Sequence, residues 1–76
     1  NPKYAIAYYR RANAKSELRL YKQAIADYDK AISLDPNIAE AYYNRGTAKS
    51  KLGLTETVEE DHKKGIELGF IVEDIS

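Results

Sequence analysis

The 76-residue chain contains no cysteine, no methionine and no tryptophan. Without cysteine it has neither a disulfide staple nor a thiolate metal site. A chain this short can bury only one small core, and no covalent link reinforces it. The single histidine, His62, cannot build a metal site alone. No apolar run approaches the about twenty residues that cross a bilayer, so a membrane partner is not expected. Net charge is zero, which argues against general nucleic-acid binding. The four glycines, Gly46, Gly53, Gly65 and Gly69, are dispersed and form no phosphate-cradling loop. With no acid–base pair around His62 and no nucleophile motif, the expectation is a protein that is not an enzyme and holds no cofactor or metal. The chain begins at Asn1 and has no Met, so it reads as a fragment of something longer. An intracellular, cytoplasmic setting is favoured over secretion.

Hydrophobic residues make up 43% and charged residues 32%, a balance that suits a globular domain rather than a disordered tail. The dominant signal is an internal repeat. A shift of 34 residues lays Ala5-Ile6-Ala7-Tyr8-Tyr9-Arg10-Arg11 on Ala39-Glu40-Ala41-Tyr42-Tyr43-Asn44-Arg45. It also lays Ala14-Lys15-Ser16 on Ala48-Lys49-Ser50, and Leu18 and Leu20 on Leu52 and Leu54. Fourteen of the thirty-two aligned pairs are identical, ten of them in the first half of the unit. The second half has therefore drifted.

Each unit reads as two helices. Ala5, Tyr8 and Ala12 recur at helical steps, with Leu18 closing the segment, and Ala24, Ile25, Tyr28, Ala31, Ile32 and Leu34 form a broad apolar stripe. Helices are predicted near 3–18, 21–34, 38–52 and 56–68. Asn1-Pro2 and Asp35-Pro36-Asn37 precede the first helix of each unit, as cap residues and proline do. Gly53 and Gly69 are placed for left-handed C-terminal caps. Thr57-Val58-Glu59-Glu60 fits a capping box, with Thr55 an equally good N-cap. Two amphipathic helices cannot bury both apolar faces as an isolated pair, whereas stacked pairs can, so a solenoid is expected.

The 34-residue helix–turn–helix period resembles the tetratricopeptide repeat. Unit one carries its pattern in Tyr8, Ala12, Ala24, Tyr28, Ala31 and Pro36. Unit two carries Tyr42 and Gly46. Departures fall at Arg11 and Lys15 in unit one, and at Arg45, Lys49, Val58, His62, Gly65 and Phe70 in unit two. The resemblance implies an all-α fold: an α-solenoid of two helix–turn–helix repeats, repeat one at 5–38 and repeat two at 39–72, with a short tail at 73–76. It implies a protein-interaction scaffold whose first helices line a concave groove for an extended peptide or a partner helix. Carried over residue by residue, the groove positions are Tyr9, Arg10, Asn13, Tyr43, Asn44, Thr47 and Lys51, flanked by Ile6, Ser16, Glu17, Glu40 and Ser50. One branch of the family holds acidic chain ends in a carboxylate clamp. Asn13 and Asn44 resemble its two asparagines, but Tyr9 stands where its first lysine should be, and no third repeat supplies the rest.

Charge adds a preference. The segments 3–18 and 39–52 contain seven basic residues (Lys3, Arg10, Arg11, Lys15, Arg45, Lys49 and Lys51) against Glu17 and Glu40. A basic inner layer suggests an acidic peptide. The recurring Arg11, Lys15, Arg45 and Lys49 are read as aliphatic stems lying over apolar neighbours with their charges in water. His62 is read as a packing substitute for an aromatic. Glu59-Glu60-Asp61 is read as a solvated cluster. The polar second helix of unit two should be a terminal cap, with Phe70, Ile71, Val72 and Ile75 folded back over its edge. Tyr4, Ile6 and Tyr8 lie where a preceding unit would pack, so homo-oligomers through the N-terminal helix are expected. Two other readings remain open: a structural self-assembly unit, and an accessory segment of a larger enzyme.

Overall fold

The computed structural model describes residues 2–71, and they form four helices with no strand among them. The helices are α1 (Pro2–Glu17), α2 (Tyr21–Leu34), α3 (Ala39–Lys51) and α4 (Val58–Glu67). Each packs on the next in chain order, while α1 and α3 only brush each other. The result is an all-α helical repeat, with α1–α2 and α3–α4 as successive hairpins.

The core is built from small residues. Ala5, Ala12, Ala24, Ala31, Ala39, Ala41 and Ala48 are buried, and Tyr28 is the largest side chain fully enclosed. Alanine lets helix backbones approach closely, and two glycines take this further. A Cβ at Gly46 would lie 2.8 Å from the His62 ring, and one at Gly65 would lie 2.9 Å from the Ala39 carbonyl oxygen. The core thus depends on close backbone approach more than on large apolar side chains.

Three helices end in the same way. After α1, Arg19 N–H donates to Ser16 and Leu20 N–H to Lys15. After α3, Gly53 N–H donates to Ser50 and Leu54 N–H to Lys49. After α4, Gly69 N–H donates to Ile66 and Phe70 N–H to Gly65. These are Schellman closures, which need a left-handed residue. Gly53 and Gly69 supply it as predicted, and Arg19 supplies it in unit one despite its side chain. Leu18, Leu20, Leu52 and Leu54 flank these closures and are exposed. Leu18 lies just past α1, at the end of the segment it was expected to close.

The helix starts differ from expectation. Thr57 is the N-cap of α4, but no side-chain cap bond forms. Its hydroxyl instead accepts a hydrogen bond from Lys49 Nζ at 2.9 Å, so the capping box is not made and α4 starts later than predicted. Asp35 does not cap α3, whose N-cap is Ile38. Its carboxylate accepts from Asn37 N–H at 3.0 Å and shapes the turn. Phe70 does fold back, stacking on Tyr43 with ring centroids 4.3 Å apart. Ile71 does not, and is 81% exposed. Val72 and Ile75 lie outside the described residues.

Candidate functional site

Among the described residues, one side-chain hydrogen bond joins the first helices α1 and α3. Asn44 Nδ2 donates to Asn13 Oδ1 at 3.2 Å. The buried hydroxyl of Tyr28 donates to the same oxygen. Burial pushes that hydroxyl up to about 12, so it stays protonated and keeps donating. The Asn13 carbonyl is thereby filled twice. The Asn13 side-chain amide nitrogen and the Asn44 side-chain carbonyl have no partner among the described residues, which leaves donor and acceptor capacity in the pair. They line a cleft of about 350 Å³ together with Ser16, Glu17, Tyr28 and Thr47.

The same geometry recurs one unit later. Asn13 aligns with Thr47, and Tyr28 with His62. Thr47 Oγ1 lies 3.2 Å from His62 Nε2, and it also donates to the Tyr43 carbonyl at 3.2 Å. Thr47 thus links the α3 backbone to the His62 ring. The His62 ring stacks on Tyr43 with centroids 4.1 Å apart. The expected role of His62 as an aromatic substitute agrees with this placement.

The candidate positions from sequence divide into groups. Asn13, Asn44 and Thr47 share the cleft just described. Tyr9 and Arg10 lie in a second cleft of about 510 Å³, with Ile6, Asp35 and Glu40 on its walls. Tyr43 is half-buried between helices, stacked on both His62 and Phe70. Lys51 is exposed at the end of α3 and lines neither cleft.

The recurring basic residues are engaged quite differently from expectation. Arg11 Nε and Nη2 donate to the two oxygens of Asp27 at 2.7 and 2.8 Å, and Lys15 Nζ lies 3.0 Å from the same carboxylate. In unit two, Arg45 Nε and Nη2 donate to Asp61 at 3.0 and 2.7 Å, with Lys49 Nζ at 3.2 Å. Arg45 also reaches back with Nη1 to Asp29 at 2.9 Å. Both Asp27 and Asp61 are only 5% exposed, so Asp61 is not part of a solvated cluster. Hydrogen bonding from Arg11 holds the Asp27 carboxyl below its ordinary value, against the opposing effect of burial, with Lys15 assisting. Burial alone would raise Asp61, but Arg45 and then Lys49 outweigh it and bring it below its ordinary value. The arginines also sit over tyrosines, Arg11 at 5.3 Å from the Tyr8 ring centre and Arg45 at 5.5 Å from that of Tyr42.

Sequence reasoning missed these bidentate pairs. A buried carboxylate scores as polar in any search for apolar periodicity. The usable signal was the repeat itself: Asp27 and Asp61 are one of four identities kept in the drifted half of the unit, in register with Arg11 and Arg45. The finding also alters the charge of the inner layer. Four of its seven basic residues are engaged by three carboxylates within the fold.

Among the described residues no group of three or more His, Cys, Asp or Glu is arranged to hold a metal. No described helix is long and apolar enough to cross a membrane. Residues 21–53 match the family model described as TPR repeat, a stretch that runs from α2 through α3. No curated protein sequence matches the chain.

Proposed function

Because the chain carries a TPR repeat, a motif that generally mediates protein–protein interaction, we propose that it binds an extended segment of a partner protein across α1 and α3. The observation that supports this most is the Asn13–Asn44 pair. Its vacant donor and acceptor match the alternating amide and carbonyl of an extended peptide backbone. Tyr28 anchors the pair from the core, so the groups are held before the ligand arrives and little ordering cost remains.

Acidic preference rests on fewer groups than the raw charge implies. Arg11, Lys15, Arg45 and Lys49 are engaged by Asp27 and Asp61; of the other three, Lys3, Arg10 and Lys51, the last two are groove positions, and Arg10 shares its cleft with Asp35 and Glu40. Tyr9 beside Arg10 offers a ring against which a ligand side chain can pack. The ligand read from this arrangement is an extended peptide with an acidic residue toward Arg10.

Binding of a set of extended peptides, identical but for acidic, neutral or basic flanks, tests the reading by calorimetry. Acidic members should bind best, and their affinity should fall with salt. Asn44→Ala should weaken every member, since it removes a backbone contact, whereas Arg10→Ala should erase only the acidic preference. Equal binding of acidic and basic peptides would remove the charge component. Undiminished binding by Asn44→Ala would remove the cleft.

A further inference from the structure

The groove between α1 and α3 carries an ordered pattern of charge. Arg10, Asn13 and Glu17 follow one another along α1, and Glu40, Asn44 and Thr47 along α3. Each set keeps the three- and four-residue steps of one helix face. The Asn13–Asn44 hydrogen bond joins the two faces at their middle. On one side of it Arg10 shares a cleft with Glu40 and Asp35. On the other Glu17 shares a cleft with Thr47, and no Lys, Arg or His lines that cleft among the described residues. Glu17 is exposed and forms no ion pair among the described residues. It also closes α1, where the helix dipole disfavours negative charge. Unit two has Lys51 at the equivalent position, with the favourable sign. The Ser16 and Thr47 hydroxyl oxygens and the Asn44 carbonyl, which line the same cleft, add further acceptors beside the Glu17 carboxylate.

We propose that the groove selects a partner segment of mixed charge, with a lysine or arginine in the Glu17 cleft and an acidic residue three positions away at Arg10. This rests on the extended-peptide reading given above; the acidic residue at Arg10 is unchanged, and the cation is the addition. Arg10 and Glu17 are seven residues apart on α1, about 10.5 Å along the helix axis. A peptide in the polyproline-type extended form rises about 3.1 Å per residue and turns once every three. Residues three apart therefore point the same way, about 9 Å from each other, and long side chains span the remainder. Asn13 and Asn44 then meet the backbone between the two charges. The donors of an ammonium or guanidinium group match the acceptors around Glu17. A carboxylate at the same place in the ligand would face Glu17 and be rejected, so Glu17 sets specificity by repulsion as well as attraction.

The test holds one glutamate of the ligand fixed and varies the residue three positions from it. Short alanine peptides, capped at both ends, carry Lys, Gln or Glu at that place, in both chain orders, and are titrated into the chain by calorimetry. In the order that binds, Lys should be preferred over Gln by roughly two- to fivefold, the range of an exposed ion pair, and Gln over Glu by a similar factor. Glu17→Gln should level the Lys and Gln peptides, and Glu17→Lys should reverse the order of Lys and Glu. Equal affinity of the Lys and Gln peptides, with all of them still weakened by Asn44→Ala, would overturn the proposal and leave the groove reading standing. A lysine preference that survives Glu17→Gln would place the cation elsewhere and also overturn it. Absence of binding by every peptide would remove the groove reading and the proposal together. Concentration-dependent dimers of the chain alone, dispersed by Glu17→Gln, would make a second copy the occupant and count against it.

Discussion

Arg19 and Gly53 occupy the same position in successive units, and both adopt left-handed backbone, with φ of 64° and 77°. Glycine does so without steric cost, while an L side chain there costs about 1–2 kcal/mol. Arg19→Gly should therefore stabilise the chain by about 0.5–1 kcal/mol, the relief being partly offset by the greater freedom of an unfolded glycine. Melting temperature should rise by a few degrees. An unchanged or lower value would mean that the Arg19 side chain contributes more than its backbone costs.

The two aspartates should not be equivalent. Arg45 has an 18% exposed side chain and Arg11 a 57% exposed one. Loss of the carboxylate strands Arg45 and Lys49 in a drier site, while Arg11 can return to water. Asp61→Asn should cost roughly 1–3 kcal/mol, and Asp27→Asn less. Urea unfolding of the two variants measures the difference, and the reverse order would contradict the burial argument.

Acid should weaken the fold through the same groups. Both carboxyls are held below the ordinary aspartate value of 3.8. Their ion pairs contribute fully above that value and are lost as pH falls below it, because the unfolded chain then takes up protons that the folded chain resists. Stability from these groups should be level between neutral pH and about pH 5 and decline below about pH 4. The double variant Asp27→Asn/Asp61→Asn should show a shallower decline. An identical slope in wild type and variant would assign acid sensitivity to other carboxylates.

Gly65 is tested by the smallest possible side chain. Alanine favours helix over glycine by about 1 kcal/mol. Here the new methyl would meet the Ala39 carbonyl oxygen at 2.9 Å and Tyr43 Cβ at 3.0 Å. Backbone cannot step aside as a side chain can, and overpacking costs about 1–3 kcal/mol. Gly65→Ala should thus be destabilising. Gly46→Ala, which meets the His62 ring at 2.8 Å and Asp61 Cβ at 3.0 Å but no backbone atom, should be milder. A thermal melt that rises for Gly65→Ala would show that α3 and α4 separate easily.

Phe70 offers the remaining test, at the end of α4. Its ring is half-buried and stacked on Tyr43. Phe70→Ala should cost about 1–2 kcal/mol, below the usual loss for a fully enclosed ring. Exposed Ile71→Ala should be near neutral by the same measure. Equal losses would imply that residues past Phe70 also cover the helix.

Much of the architecture was legible because it rests on spacing. The α2 stripe from Ala24 to Leu34 gave its bounds correctly, and Gly53 and Gly69 marked two helix ends. Helix starts were less legible. Thr57 has the residue type of a cap, yet Lys49, eight residues earlier and on another helix, takes its hydroxyl. No local rule contains that competition. Within the site, Asn13 and Asn44 came from the family resemblance, carried over position by position. The linking role of Tyr28 was hidden, since a tyrosine in an apolar stripe reads as packing whatever its hydroxyl does. Asp27 and Asp61 were obscured for the opposite reason, each looking like surface charge.

Tyr28 belongs at once to the sealed interior and to the floor of the cleft. Its ring is 1% exposed, and its hydroxyl ends on Asn13, which Asn44 also grips from the next unit. A peptide that drew Asn13 away would tug on the largest fully buried side chain among the described residues, while one that left this bond intact would tighten it. Occupancy and melting behaviour are therefore linked through a single phenol. A near-ultraviolet tyrosine signal, sensitive to the surroundings of that ring, would report ligand arrival from within the core without any label on the surface.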